Sequence, residues 1–358
     1  MNAGRSLSPH MLGCAMAIAS VVSLLVTVGV AVAEHGPLEK PFVDPNLAVY
    51  TAAREVSGTL KIAGSETMQP LLARLAKEFR RYHPNAVLTV EGGGSSAAVK
   101  EFLAAPPRSK PVSQPSSDEP VLLVASSRML NAAEVKQFAS KRGYQPTSFP
   151  VAVDAVGMYV HRDNPLTHLT LEQVDAIFST TRHRGYSHEI KQWGQVGVNN
   201  GWETTSIRLY GRDQKSGTRA FIKEHVLEHG EFTLAIHEEP GAASVILALS
   251  RDPFGLGYSG IGLQASAVRA VPLAEKEGMP YVLPSASSVM DESYPLRRLL
   301  YLYADKAPHA PLPAIADEFL AFVNSREGQE TVIKAGFYPL PAKQIQQSLA
   351  ALTVPVGR

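Results

Sequence analysis

The stretch GRDQKSGTRAFI (211–222) sets Arg212, Lys215, Ser216, Gly217 and Thr218 directly before an apolar-patterned helix, with no Cys and no nearby acid–His pair. Two more stretches, AGSETM (63–68) and GGGSSA (92–97), repeat its plan of strand, Gly and Ser/Thr loop, then helix start. The first turn of a helix leaves N–H groups without partners at the positive end of its dipole, so an anion is favoured there. Hydroxyls of Ser65, Thr67, Ser95, Ser216 and Thr218 add donors, and Arg212 can grip an oxyanion with two charge-assisted bonds. Each motif alone reads equally as a helix cap or a turn, and Arg212 alone as a surface ion pair. Three together, with an Arg four residues before the SGT triplet, point to an anion site.

The elements that must position these loops are legible nearby. Leu60 and Ile62 alternate as a short strand; Leu72, Leu75, Ala76 and Phe79 recur at helical spacing until Pro84. AVLTV is the next strand, and Ser95 or Ser96 can cap a second helix running through Phe102. This repeated strand-loop-helix order predicts an α/β chain with a parallel-rich sheet. VLLVASSR is a buried strand running into a serine-rich turn, and FPVAVDAVGMYVHR (149–162) is long enough to cross between lobes. TLEQVDAIFS is a helix, SIRLYG a strand, FGLGYSGIG (254–262) a candidate return crossing, and AIADEFLAFVNSREGQETVIKAG one amphipathic helix. The stretch 105–120, with five prolines and four serines, reads as a solvated insertion.

With 358 residues, 45% hydrophobic and 19% charged, the chain is an ordinary globular protein of one large domain or two. The apolar run after Arg5 ends in Ala31-Val32-Ala33, which predicts a cleaved signal peptide over 1–33; an uncleaved anchor is the alternative. Residues 34–55, with prolines and no clear period, read as a tether. Cleavage would remove the single Cys, so the exported chain has no disulfide, thiolate metal site or Cys nucleophile, and would leave 33 basic and 33 acidic residues. Nothing global then steers it to nucleic acid.

Other chemistries are weaker. His225 and His229 have helical metal-ligand spacing, but interleaved Glu224, Glu228 and Glu231 suit a solvated face. No G-x-S-x-G elbow supports a Ser nucleophile at Ser95 or Ser216. No catalytic residue, cofactor or metal is expected.

IAGSETMQPLLARLAKEF, EGGGSSAAVKEF, VASSR, DNPLTHLTLEQVDAIF, RDQKSGT and FVNSREGQETVIKAGFYPL resemble the PstS-like phosphate-binding proteins of bacterial phosphate ABC importers. The resemblance implies a type II periplasmic-binding-protein fold: two α/β lobes joined by two crossover strands, with the ligand cleft between them. Lobe I would comprise 56–150 and 260–345, and lobe II 151–259. It implies a periplasmic monomer that is not an enzyme, takes inorganic phosphate and delivers it to an inner-membrane ABC permease. The ligand residues carried over are Ser65, Thr67, Ser95, Arg212, Ser216, Gly217 and Thr218, with Ser126 and Ser127 at the rim. Well-studied members of the family carry an aspartate after the serine of the strand-end turn, where it accepts the proton of hydrogen phosphate. Here that turn is Ala125-Ser126-Ser127-Arg128, which leaves Glu66 as a candidate acceptor and another oxyanion, sulfate or molybdate, as the alternative cargo. An exported adhesion or sensory protein reusing the fold is a third reading.

Overall fold

The computed structural model describes residues 41–105, 121–263 and 265–352. The expected signal peptide, and the insertion at 105–120 apart from Ala105, lie outside the described residues.

Leu60 and Ile62 are buried on β1, Gly58–Gly64. Helix α1, Gln69–Phe79, takes Pro70 in its first turn, where no N–H is needed, and buries Leu71, Leu72, Leu75, Ala76 and Phe79. Strand β2, Ala86–Glu91, runs parallel to β1. Helix α2, Ser95–Ala104, is entered through Gly93 and Gly94 at φ 119° and 92°, so Gly94 rather than Ser95 or Ser96 precedes its first turn. Ser95 is thereby the first helical residue, and its hydroxyl serves no cap. Strand β3, Val121–Ser126, lies parallel to β1 on the other side, and α3, Ala132–Arg142, starts with a reciprocal Asn131–Glu134 capping box.

The run expected to cross between lobes is one 15-residue strand, β4, Thr147–His161. Beyond it come β5 Leu169–Thr170, α4 Leu171–Phe178, a 3-10 turn at Trp193–Val196, β6 Arg208–Arg212 and α5 Gly217–His225. They are followed by β7 Ile236–Glu239, α6 Ala242–Leu249, β8 Gly255–Gly260, β9 Val268–Val271, β10 Leu273–Ala274 and α7 Ala286–Met290. Strand β11, Arg297–Ala304, and helices α8 Ala314–Val323, α9 Arg326–Lys334 and α10 Ala342–Leu352 complete the chain.

The large sheet has the order β2-β1-β3-β11-β4-β8-β6-β7, with β9 also on β4. Residues 147–155 of β4 pair antiparallel with β11, and 156–160 pair antiparallel with β8. One strand therefore serves two lobes. The first packs Leu60, Leu72, Phe79, Phe149, Leu300 and Phe319 together, and the second gathers Met158, Phe178, Trp193, Ile222, Leu256 and Tyr258.

Several expectations are corrected. Residues 268–296, assigned to lobe I by sequence, belong with the second lobe: β9 pairs with β4 at 158–161, β10 pairs with β5, and Val271, Leu273, Val289 and Tyr294 share its core. The return crossing is consequently the entry to β11, where Leu296 O accepts from Val156 N–H, and not the glycine-rich run that forms β8. The single C-terminal helix is two helices, because Ser325 Oγ accepts from Gly328 N–H and starts α9 afresh. Within the expected tether, residues 41–55 pack against both cores, Leu47 joining the second lobe's and Tyr50 the first's. Leu47 and Tyr50 are buried, Tyr50 O–H donates to Glu318 at 2.7 Å, and its oxygen lies 2.7 Å from His83 Nε2.

Candidate functional site

Ligands of open α/β sheets gather beyond the carboxyl ends of parallel strands. Four loops meet there. Ser65-Glu66-Thr67 follows β1, Gly92-Gly93-Gly94 follows β2, Ser126-Ser127 ends β3, and 213–216 follows β6. Ser65, Thr67, Ser95, Ser127, Ser216 and Thr218 are all buried.

The loops touch across the lobes. Thr67 Oγ1 lies 3.2 Å from Thr218 Oγ1, and Ser96 N–H donates to Lys215 O at 3.0 Å. Ser95 Oγ lies 3.2 Å from Ser127 Oγ and accepts from Ser127 N–H at 3.1 Å. A Cβ on Gly217 would stand 2.5 Å from Ser95 Oγ and 2.6 Å from Ser127 Oγ, so only glycine allows α5 to approach this close. Ser216 Oγ accepts from Thr218 and Arg219 N–H as the cap of α5. Among the described residues no hydrogen bond is found for the backbone amides of Thr67, Ser95 and Gly217. A cleft of about 180 Å³ opens at Thr67, bounded by Glu66, Thr67 and Gln69 from the first lobe and Gly241, Ala242 and Gly260 from the second.

Arg212 ends β6 with 1% of its surface exposed. Its Nη2 donates to Pro240 O at 2.9 Å, Nε has no partner, and no carboxylate lies within ion-pair distance among the described residues. Burial pulls its pKa down, with Asp213 and Glu66 opposing. An unpaired buried guanidinium is costly unless an anion arrives to meet it. Arg128, which stands in the expected rim turn, is already neutralised: its two Nη atoms donate to the two carboxylate oxygens of Glu134 at 2.7 Å.

Two expected residues are placed differently. Ser126 Oγ donates to Arg128 O at 2.8 Å inside its own turn, which withholds it from the cluster. Glu66 accepts from Gly93 N–H, so one of its carboxylate oxygens is spent on shaping the glycine loop. Trp193 and Trp202 pack edge to face in the second lobe, with ring centres 6.2 Å apart. No cluster of three His, Cys, Asp or Glu suited to a metal occurs among the described residues.

Sequence reasoning passed over Asp154 and Arg298, a buried ion pair at 2.7 Å on facing positions of β4 and β11. The signal was present: a lone acid inside the apolar run VAVDAVGMYV and a cation beside the apolar stretch LLYLYA.

Residues 50–327 match the family model described as the PBP superfamily domain. The phosphate-binding protein PstS of Pseudomonas aeruginosa is 39% identical over 310 residues, 87% of this chain and 92% of that one. A protein from Clostridium perfringens, assigned as the substrate-binding protein of a phosphate ABC transporter and solved with bound phosphate, shares the fold at a TM-score of 0.62 and 22% identity. That match covers 79% of this chain and 100% of the other. An ABC-type phosphate transport receptor from Vibrio cholerae does so at 0.57 and 20%, over the same shares. The sheet order, the Ser/Thr loops that meet across the lobes and, above all, these similarities place the chain in the PBP superfamily, among its PstS-like phosphate-binding proteins.

Proposed function

We propose that the protein captures inorganic phosphate outside the inner membrane and hands it to an ABC permease, working as a monomer without chemical change to the ligand. The observation that carries this is Arg212: a buried guanidinium without a carboxylate partner, at the end of the strand whose following loop and helix meet the first lobe through Lys215 O and Thr218 Oγ1. Thr67, Ser95 and Ser127 would grip the anion from the first lobe, with Ser65 shaping the loop. Arg212, Gly217 and Thr218 would grip it from the second, with Ser216 holding the helix start. Closure replaces the hydration shell of phosphate by fixed donors, and its affinity depends on how little those donors must rearrange. The names and bound ligands of the relatives support the same reading.

Calorimetric titration of anion-free protein with phosphate, sulfate and molybdate tests it. One-to-one phosphate binding with weak sulfate binding is expected. Preference for sulfate or molybdate would change the cargo, and silence towards all three would refute oxyanion capture.

A further inference from the structure

Phosphate near neutral pH carries a proton, whereas sulfate does not. Serine and threonine hydroxyls can accept a P–O–H bond but can equally donate to sulfate, so they separate the two anions weakly; a carboxylate only accepts, and favours the protonated one. Ala125-Ser126-Ser127-Arg128 provides no acid, and one Glu66 oxygen is engaged by Gly93.

The crossover strands supply one. Asp154 is fully buried, one residue before β4 passes from β11 to β8. Its Oδ2 accepts from Arg298 Nε at 2.8 Å and lies 2.7 Å from Nη2, while Oδ1 has no hydrogen-bond partner among the described residues, nor has Arg298 Nη1. A structural ion pair at a hinge would satisfy those atoms; here two are left over.

Glycine 260 shows where the pair faces. A Cβ there would lie 3.2 Å from Thr67 Cγ2, 3.3 Å from Asp154 Oδ2 and 3.4 Å from Arg298 Nη2, so three side chains from three segments crowd Gly260 and leave a methyl little room. Thr67 is the residue whose hydroxyl meets Thr218 across the lobes, and Gly260 borders the cleft. An isolated carboxylate would repel an incoming anion. Paired with Arg298 it presents acceptor lone pairs without net charge. Burial raises the pKa of Asp154 against the pull of Arg298 and the amides of Ala155 and Ile261, which makes it a stronger acceptor, and Tyr159, Tyr294 and Tyr338 are the other titratable groups around it.

We infer that Asp154, held by Arg298, is the proton acceptor that distinguishes a protonated oxyanion from a fully ionised one in this cleft. The inference rests on the phosphate reading above. Phosphate and sulfate dissociation constants are to be measured for the wild-type protein, Asp154→Asn, Glu66→Gln and Gly260→Ala. The Asn variant turns an acceptor into a group that also donates, and the phosphate-over-sulfate ratio should fall at least tenfold. Gly260→Ala, which interposes a methyl without altering charge, should lower the ratio in the same direction and serves if the Asn variant does not fold. An unchanged ratio in both, even where both anions weaken together, overturns the assignment and leaves the pair a hinge fastener. Collapse of the ratio in Glu66→Gln while it holds in Asp154→Asn also overturns it. Wild-type protein that takes no phosphate refutes the phosphate reading itself, and this assignment with it.

Discussion

Replacing Gly217 by Ala tests closure most directly. The added methyl would lie 2.5 Å from Ser95 Oγ, 2.6 Å from Ser127 Oγ and 2.6 Å from Ser95 Cβ. The hydroxyls can rotate away, but Ser95 Cβ is fixed to the first turn of α2. Restoring an ordinary carbon contact requires the lobes to part by about 1 Å. The bond from Ser96 N–H to Lys215 O, now 3.0 Å, would then stretch past hydrogen-bond range. Losing that bond and loosening the grip on the ligand should cost about 2 kcal/mol, roughly a 30-fold rise in phosphate Kd. Because the clash exists only when the lobes are closed, the ligand-free protein should melt within ~2 °C of wild type. Titration calorimetry and thermal melts report the two quantities. Phosphate affinity within about twofold of wild type would refute the close approach of α5 to α2.

Removing the cation in Arg212→Ala should weaken phosphate binding by about 2 kcal/mol or more, as expected for a buried charge-assisted contact, and unchanged affinity in the same titration would exclude Arg212 from the site. Burial disfavours the Glu134 charge, but Arg128 outweighs it and holds the carboxyl below its ordinary value. The stability this pair contributes is therefore present above the unfolded carboxylate pKa and lost as pH falls through the lower folded value. Glu134→Gln should flatten that acid limb of a pH-dependent denaturation series, and an identical limb would show that Arg128 does not hold the group. Tyr50→Phe, which leaves Glu318 without its buried donor, should destabilise the fold by about 1–3 kcal/mol in urea melts while phosphate affinity stays unchanged. No loss of stability would mean that residues 41–55 do not fasten the first lobe.

Local rules determined much of this protein. Alternation at Leu60 and Ile62, the 3.6-residue spacing in α1, the helix within TLEQVDAIFS and the Gly–Ser/Thr loops before helices are written in contiguous residues, and the structure realises each. Of the residues carried over by the resemblance, Thr67 lies against Thr218, and Ser95 and Ser127 lie against each other and against Gly217. What failed to show depended on partners far along the chain. The packing of 41–55 required Glu318 and His83, the break between α8 and α9 required Ser325 to win a cap over helix continuation, and β9 and β10 could be assigned only by the strands they meet. Ser126 and Ser127 are adjacent and chemically alike, yet only the turn geometry decides that one bonds Arg128 O while the other meets Ser95. Asp154 and Arg298 are 144 residues apart and join only because β4 and β11 lie side by side in register. Spacing along a chain reports which side chains share a local face. Which of them end up buried together, short of a partner, is decided when distant strands pair and two lobes close.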